Sequence, residues 1–314
     1  MMSLMTKLKN GGLACLLLAA FFAPLLSPLT VTVALAARTR LPRVVIDFGF
    51  QEARDFHEGL AAVRSHDAWG YIDNLGRVVL PFVYRVPEAG DFSEGLAFVG
   101  DRYINMDGNP AFEDRTFERG LPFSQGLAAV QVGGQWGFID LTGKFVVAPI
   151  YEEAGPFREG LAAVRRDGLW GYVDTGGRMR IPPQYLHADP FSDGLAAVEL
   201  RGRFGYIDNA GRDVIKPRFD DAGSFRYGLA PVRLHTNYRG WGFINKRGKT
   251  VISHRFNSAL PFSERLAPVA TDARWGFINT RGENALANLY DEARPFSEGL
   301  AAVRQEGQWG YIGQ

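Results

Sequence analysis

Short apolar runs alternate with turn residues along the chain from about residue 41 onwards, and one order of positions recurs throughout. Residues 161–164, Leu-Ala-Ala-Val, form a continuous apolar run that is too short for a helix and suits a strand buried on both faces. A second run follows at residues 170–174. A third run ends each unit; in the preceding unit it is residues 145–147. The pattern predicts an all-β protein with about three short antiparallel strands per unit.

The period of the pattern is set by a Gly-Leu pair that opens each unit, with Arg265 in place of one glycine. Successive pairs are separated by 31 to 37 residues, and there are eight of them. A nearly constant period of this length indicates one supersecondary unit that is copied along a single array, and not several independent domains. The opening residues are Gly59, Gly95, Gly126, Gly160, Gly194, Gly228, Arg265 and Gly299, which define repeats 1 to 8.

Aromatic residues occupy two recurrent positions in these units. All six tryptophans of the chain are followed by glycine, and Phe204 stands in that position in repeat 5. We interpret them as the structural repeat core, with the less favoured alternative that they form a row for sugar stacking. They are Trp69, Trp136, Trp170, Phe204, Trp241, Trp275 and Trp309. A phenylalanine three residues before each opening position is predicted to pack between repeats, and the acids beside it are interpreted as solvated turn charges.

Several of these positions agree at once with a known pattern. Phe-x-Glu-Gly-Leu-Ala-x-Val, Trp-Gly-Tyr/Phe-Ile-Asp/Asn-x-x-Gly and Val-Ile-x-Pro together resemble the bacterial WG-repeat (KWG-repeat) family over residues 41–314. The resemblance implies an array of β-hairpins, often exported, and supplies no catalytic residues. Two units depart from it: near residues 100–103 the hairpin is short and has no Trp-Gly pair, and repeat 5 carries Phe204.

The two ends of the array hold complementary parts of one unit. Residues 43–56 match the third strand and exit of a unit, whereas the chain ends after a second strand, at Trp309-Gly310-Tyr311-Ile312. If the N-terminal strand completes the C-terminal repeat, the eight repeats close into a propeller-like ring. An open, curved β-solenoid is the alternative.

The N-terminal residues have the composition of an export signal. Lys7 and Lys9 precede 28 uncharged residues, and Ala34-Leu35-Ala36 fits a signal-peptidase site. We therefore predict a signal peptide at residues 1–37, a single repeat domain at residues 38–314, and a periplasmic, cell-surface or secreted protein. An uncleaved membrane anchor is the alternative.

Candidate chemistry is sparse. The chain has one cysteine, Cys15, and its five histidines show no metal-ligand spacing, so we expect no metal site and no cofactor. Without Lys7 and Lys9, 33 basic residues face 34 acidic ones and no basic tract remains, so nucleic acid is not an expected partner.

These observations favour an exported, non-enzymatic binding or scaffold module that presents its repeat surface to a protein, peptide or cell-envelope glycan. The alternative is a carbohydrate-active enzyme with its site in a central channel or groove, since carboxylates are plentiful. A structural envelope component held by an uncleaved anchor is a third reading. The longest hairpin, in repeat 6, supplies the candidate ligand-binding residues His235, Asn237, Tyr238 and Arg239.

Overall fold

The computed structural model describes residues 41–113, 115–234 and 240–314. Every regular element within these ranges is a β-strand, and the strands form seven four-stranded antiparallel sheets and one two-stranded sheet. Each four-stranded sheet is one of seven full blades of a propeller, one fewer than the eight predicted repeats, because repeat 2 supplies only the two-stranded sheet. The strands of each sheet are consecutive in the chain except in repeat 8. No helix in these ranges is long and apolar enough to cross a membrane.

The strands fall into four classes by their position in the blade. The first strands are Glu52–Ala53 (β2), Arg119–Gly120 (β8), Glu153–Ala154 (β12), His187–Ala188 (β16), Asp221–Ala222 (β20), Ser258–Ala259 (β24) and Glu292–Ala293 (β28). The second strands are Leu60–Ser65 (β3), Leu96–Val99 (β6), Leu127–Val132 (β9), Leu161–Arg166 (β13), Ala196–Leu200 (β17), Leu229–Leu234 (β21), Leu266–Thr271 (β25) and Leu300–Gln305 (β29). They carry the Leu-Ala-x-Val runs, most of whose residues are buried.

The third strands are Ala68–Asp73 (β4), Arg102–Asn105 (β7), Gln135–Asp140 (β10), Leu169–Asp174 (β14), Arg203–Ile207 (β18), Gly240–Asn245 (β22), Arg274–Asn279 (β26) and Gln308–Gly313 (β30). The fourth strands are Val78–Tyr84 (β5), Phe145–Tyr151 (β11), Met179–Tyr185 (β15), Asp213–Phe219 (β19), Thr250–Phe256 (β23), Asn284–Tyr290 (β27) and, for repeat 8, Arg43–Phe50 (β1). Alternate residues of the fourth strands are exposed, as expected of an edge strand.

Each complete blade has one strand more than the sequence predicts. The additional element is the first strand, such as Glu153–Ala154, which pairs with Arg165 and Val164 of the second strand. Two residues are too few to show a hydrophobic period, so the pattern presents this strand as part of the connection between repeats. With it, the blade has the four strands that propeller blades ordinarily have.

The Trp-Gly pair has a steric cause that the structure makes plain. The third and fourth strands approach so closely at Gly171 that a Cβ atom there would lie 2.5 Å from the carbonyl oxygen of Ile181 and 2.7 Å from the nitrogen of Pro183. The register of the pairing between the third and fourth strands also shifts at this point, between Trp170 and Tyr172. Glycine is therefore required for the bulged pairing of these two strands.

Adjacent blades are joined by one repeated contact. The phenylalanine before each opening position is buried and packs against an aromatic ring of the preceding third strand, with ring centroids 4.7 to 5.0 Å apart at all eight junctions. The prediction that these phenylalanines pack between repeats is confirmed. At five junctions the ring belongs to tyrosine, whose hydroxyl group also donates to a backbone carbonyl of the next repeat.

The ring is closed by the N-terminal strand. Residues of β1 pair with β30 from Arg43 opposite Gly313 to Phe50 opposite Trp309, so β1 is the fourth strand of the last blade. The prediction of a closed, propeller-like ring is confirmed, and the open solenoid is excluded. The predicted signal peptide lies outside the described residues, and so do the four loop residues proposed for ligand binding in repeat 6.

Candidate functional site

The tryptophan positions lie inside the blades. Trp69, Trp136 and Trp309 are buried, and each belongs to a hydrophobic cluster. The other four side chains at this position are half-buried and pack against the clusters of their blades; they are Trp170, Phe204, Trp241 and Trp275. With so little ring surface exposed, they do not form an open row of stacking platforms.

The acids of the Phe-x-Glu-Gly turns have a structural role that the sequence pattern alone does not show. The Glu58 carboxylate accepts hydrogen bonds from the backbone nitrogens of Glu94 and Gly95 in the next repeat, at 2.7 and 2.9 Å. Equivalent bonds run from one repeat to the next at six further junctions, five of them to a carboxylate and one, from Gly160, to the side-chain amide oxygen of Gln125. Most of these acids are exposed turn residues, as the sequence indicates, but their carboxylates also tie neighbouring repeats together. Sequence spacing alone cannot show it, because donor and acceptor are about one repeat apart.

One junction lacks this bond. Repeat 6 has Tyr227 in place of the acid, and repeat 7 has Arg265 in place of the glycine that donates. Both residues have a left-handed backbone, with φ of 52° for Tyr227 and 66° for Arg265. The residue at the position of Tyr227 is left-handed in every repeat, with φ from 49° to 58°, so the strain particular to this junction is that of Arg265, which stands where the other repeats have glycine.

The largest departure from the repeat is in repeat 2, where it opens a cavity. Strands β6 and β7 have four residues each where the other blades have five or six, and the hairpin lacks the residues that carry the Trp-Gly pair elsewhere. The space has a volume of about 430 Å³ and is bounded by repeats 1, 2 and 3. We call it the repeat-2 cavity; its charged and aromatic lining residues are Arg54, Glu88, Phe98, Glu118, Arg119 and Trp136.

The cavity lining reverses a charge pattern found in other repeats. In repeats 1, 4, 6 and 8 the first residue of the first strand is an acid that pairs with an arginine of the second strand, as Glu153 does with Arg165 at 2.6 Å. Repeat 3 has Arg119 in the acid's position, opposite Gln131. Among the described residues Arg119 has no ion-pair partner, and its guanidinium group lies 5.7 Å from the centre of the Trp136 ring.

A second unusual group lies against the cavity. Arg54 lines the cavity and reaches Glu88 at 3.2 Å and Asp91 at 3.8 Å, and His57 lies 4.0 Å from Asp91. Asp55 and Asp91 occupy the residue before the inter-repeat phenylalanine, which is proline in five of the other repeats and Ser224 in the sixth. The Oδ1 atoms of both aspartates are buried without a hydrogen-bond partner.

Burial sets the protonation of these two aspartates. It raises the pKa of Asp55 to about 6, with the Arg294 charge opposing the rise and the Asp91 charge adding to it. Burial likewise raises the pKa of Asp91, against the opposing charges of Arg54, His57 and Arg294. Two carboxyl groups with raised pKa values, next to arginines and a histidine, set this part of the ring apart from the regular repeats.

The repeat-2 cavity and the aspartate pair were not among the predicted site residues. A signal for both is present in the sequence: the four-residue deficit of the hairpin, Arg119 at an acidic position, and Asp55 and Asp91 at a position of proline. Only the ring brings these departures together, since they are spread over repeats 1 to 3. Within residues 41–113, 115–234 and 240–314, no three His, Cys, Asp or Glu side chains are arranged to hold a metal ion.

Structural comparison finds solved proteins that superimpose on most of this chain. The crystal structure of a eukaryotic initiation factor superimposes with a TM-score of 0.56 at 12% identity, over 84% of this chain and 83% of that one, which shows similarity of fold alone. Hsv2p of Kluyveromyces lactis gives 0.46 at 10% identity over 87% and 98% of the chains. PorZ, a surface component of the type-IX secretion system of Porphyromonas gingivalis, gives 0.45 at 12% identity over 83% and 42%. No curated protein sequence matches the chain.

The sequence family is found directly. A model of the WG-containing repeat matches the chain eight times, over residues 40–67, 69–100, 102–136, 136–170, 170–203, 204–238, 241–273 and 275–309. The matches cover nearly the whole ring, including the shortened repeat 2. The chain therefore belongs to the WG-containing repeat family.

Proposed function

We propose that this protein is an exported, non-enzymatic binding or scaffold module, and that the repeat-2 cavity holds its ligand. The observation that carries the proposal is the shortened hairpin, which replaces packed side chains with a cavity of about 430 Å³ in an otherwise regular ring. A volume of this size lies within the range of small-molecule sites. The walls of the cavity are formed by the blades on either side of it, so their position does not depend on a loop.

The lining supports binding because it combines apolar surface with a few polar groups. Phe98 and Leu121 provide apolar contacts, while Arg54, Glu88 and Arg119 provide charges. Ligand sites are typically built this way, with apolar surface for affinity and few polar groups for orientation. The partner class we propose remains a protein, peptide or glycan of the cell envelope, with glycan favoured by the size of the cavity.

Export is supported by the N-terminal composition alone. The positively charged start, the long apolar run and the alanine site predict cleavage after Ala36 or Ala37. Mass spectrometry of the native protein should give a mature N-terminus near Arg38. Recovery of an intact N-terminus that retains Lys7 and Lys9 would favour the membrane-anchored alternative.

The binding proposal is tested by closing the cavity. A thermal-shift screen of oligosaccharides and short peptides identifies stabilising compounds, whose affinities are then measured by calorimetry. In one variant, residues 100–102 are replaced by the seven residues 131–137 of repeat 3, which restores a full hairpin with its tryptophan. In a second, Glu88→Trp narrows the cavity at an exposed position. Glu292→Trp, at the same position in repeat 8, is the matched control.

The expected result is that a stabilising compound binds the wild type and Glu292→Trp with equal affinity and loses affinity for both cavity variants. A compound that binds the grafted hairpin variant as well as the wild type overturns the assignment of the cavity. Because Glu88→Trp changes only an exposed side chain, it keeps the test informative if the grafted variant does not fold.

One observation favours the second candidate, a carbohydrate-active enzyme. Asp55 and Asp91 are neighbouring carboxyl groups with raised pKa values, and a pair of this kind carries glycoside hydrolysis in many enzymes. Release of reducing sugar from a polysaccharide panel, abolished separately by Asp55→Asn and Asp91→Asn, is the result this candidate requires. Equal release by the wild type and both variants would exclude this pair as its catalytic group.

A further inference from the structure

We infer that the ligand of the repeat-2 cavity is an acidic sugar of the uronic acid class, whose carboxylate is bound by Arg119. The inference rests on the proposed function, because it specifies what the same cavity binds. It specifies the chemical class of the ligand and the residue, Arg119, that selects this class.

Arg119 carries a charge with which no described residue pairs. The equivalent residue in repeats 1, 4, 6 and 8 is an acid paired with a facing arginine, whereas Arg119 faces the neutral Gln131. Although the charge is reversed at this position, no described residue forms an ion pair with Arg119. A guanidinium group on the wall of a cavity, without a counter-ion in the chain, fits an anionic ligand.

The Trp136 ring orients this guanidinium group. It lies 5.7 Å from the centre of the Trp136 ring, and Trp136 is itself buried. Stacking of this kind restricts the side chain, so the loss of rotamer freedom on binding is smaller. The planar fork of N–H groups is then available for two parallel bonds to the oxygens of a carboxylate.

Two acids, Glu88 and Glu118, also line the cavity. The Glu118 carboxylate accepts bonds from the backbone nitrogens of Gly133 and Gly134, at 2.8 and 2.9 Å, and Glu88 is paired with Arg54. Neither carboxylate therefore forms an ion pair with Arg119. Both keep lone pairs that hydroxyl groups can donate to, which suits a polyhydroxylated ligand.

The same acids favour a carboxylate over a phosphate. A phosphate monoester carries nearly two negative charges at neutral pH and would lie near Glu88 and Glu118. Each ring of a uronic acid sugar carries one negative charge, which Arg119 can bind, and several hydroxyl groups that can donate to the two glutamates. Together with the cavity volume of about 430 Å³, this points to one or two sugar rings.

The test is calorimetric titration of the full ring domain with digalacturonic acid, with the neutral galactose disaccharide and galactose 6-phosphate as comparisons. The variants are Arg119→Gln and Arg119→Glu, the latter giving repeat 3 the acid that other repeats already have. Arg233→Gln is the matched control, since Arg233 also lies over a tryptophan, 5.9 Å from the centre of the Trp241 ring. Thermal unfolding checks that each variant remains folded.

We expect digalacturonic acid to bind the wild type and Arg233→Gln equally. It should bind Arg119→Gln at least about tenfold more weakly, because the substitution removes a hydrogen bond to a charged group. Arg119→Glu should abolish binding. Equal binding of the neutral disaccharide, preference for the phosphate, an unchanged affinity of Arg119→Gln, or no binding of digalacturonic acid each overturns the inference. A different compound could still bind the wild type and lose affinity for Glu88→Trp. In that case only the proposed ligand class is wrong, and the proposed function stands.

Discussion

The ring of Tyr311, near the C-terminus, packs edge-on against Phe56 of the first repeat, with the two ring centroids 4.9 Å apart. The Tyr311 hydroxyl group donates to the backbone carbonyl of Arg54 at 2.7 Å. Tyr172 and Phe191, in the middle of the chain, have the same centroid separation of 4.9 Å and an equivalent hydroxyl bond. The junction between the last and first repeats is therefore like the others, and the stability of either end depends on both.

Deletion of the N-terminal strand tests this dependence. Removal of residues 43–50 takes away the fourth strand of the last blade and exposes the edge of β30. We expect amide hydrogens of residues 309–313 to lose protection from exchange, while those of repeat 4 retain it. Unchanged protection at residues 309–313 would contradict closure by β1.

Much of the architecture could be predicted from the sequence because repetition amplifies weak signals. One Leu-Ala-x-Val run is ambiguous, but eight runs at one period, with complementary ends, indicate a closed ring of strands. The first strand of each blade was missed because two residues carry no period. The bonds from Glu58 to Gly95 and from Glu298 to Gly59 were missed because they join different repeats.

Substitution of Gly171 tests the steric account of the Trp-Gly pair. A Cβ atom at this position would lie 2.5 Å from the Ile181 carbonyl oxygen, which belongs to the paired backbone and cannot move freely. We expect Gly171→Ala to lower the free energy of unfolding by about 3 kcal/mol or more, as severe overpacking does. The measurement is denaturant unfolding of the purified ring domain.

Gly155→Ala is the control for this substitution. Its Cβ atom would meet nothing closer than 3.7 Å, and other repeats have Arg54 or Leu121 at the same position. The change in unfolding free energy should be within about 0.5 kcal/mol. Similar losses in the two variants would show that close approach of the strands is not the reason for the glycine.

Restoring the missing bond between repeats 6 and 7 should stabilise the ring. The double substitution Tyr227→Glu with Arg265→Gly gives this junction the carboxylate and glycine used elsewhere, and relieves a left-handed arginine with φ of 66°. We expect a gain of about 1 to 2 kcal/mol in unfolding free energy. Tyr227→Gln with Arg265→Gly should retain most of the gain, since Gln125 accepts the equivalent bond from Gly160 at 2.9 Å. A lower melting temperature for both variants would contradict this account.

Asp55 should make stability depend on pH in a predictable direction. Its pKa is about 6 in the folded protein against 3.8 for the free side chain, so the folded state binds more protons than the unfolded state between these values. Stability contributed by this group therefore falls as pH rises from about 4 to about 6. Asp55→Asn, which does not titrate, should be stabilised relative to wild type by about 2 kcal/mol more at pH 7.5 than at pH 4. A difference in unfolding free energy that is constant with pH would contradict the raised pKa.

The site could be predicted from the sequence only in part. The short hairpin near residues 100–103 is visible as a departure, but that it leaves a cavity depends on the packing of repeats 1 and 3 around it. Arg119 attracts notice only when its equivalents are seen to be paired acids, such as Glu153 with Arg165. The residues chosen from the sequence, His235, Asn237, Tyr238 and Arg239, lie outside the described residues and remain a prediction.

The most direct test of the central claim is a crystal structure of the ring domain soaked with digalacturonic acid. The account predicts density for the sugar inside the repeat-2 cavity, with its carboxylate oxygens about 2.7 to 2.9 Å from the guanidinium nitrogens of Arg119. Density for the sugar at another blade or on the outer edge of the ring, with Arg119 uninvolved, would contradict it.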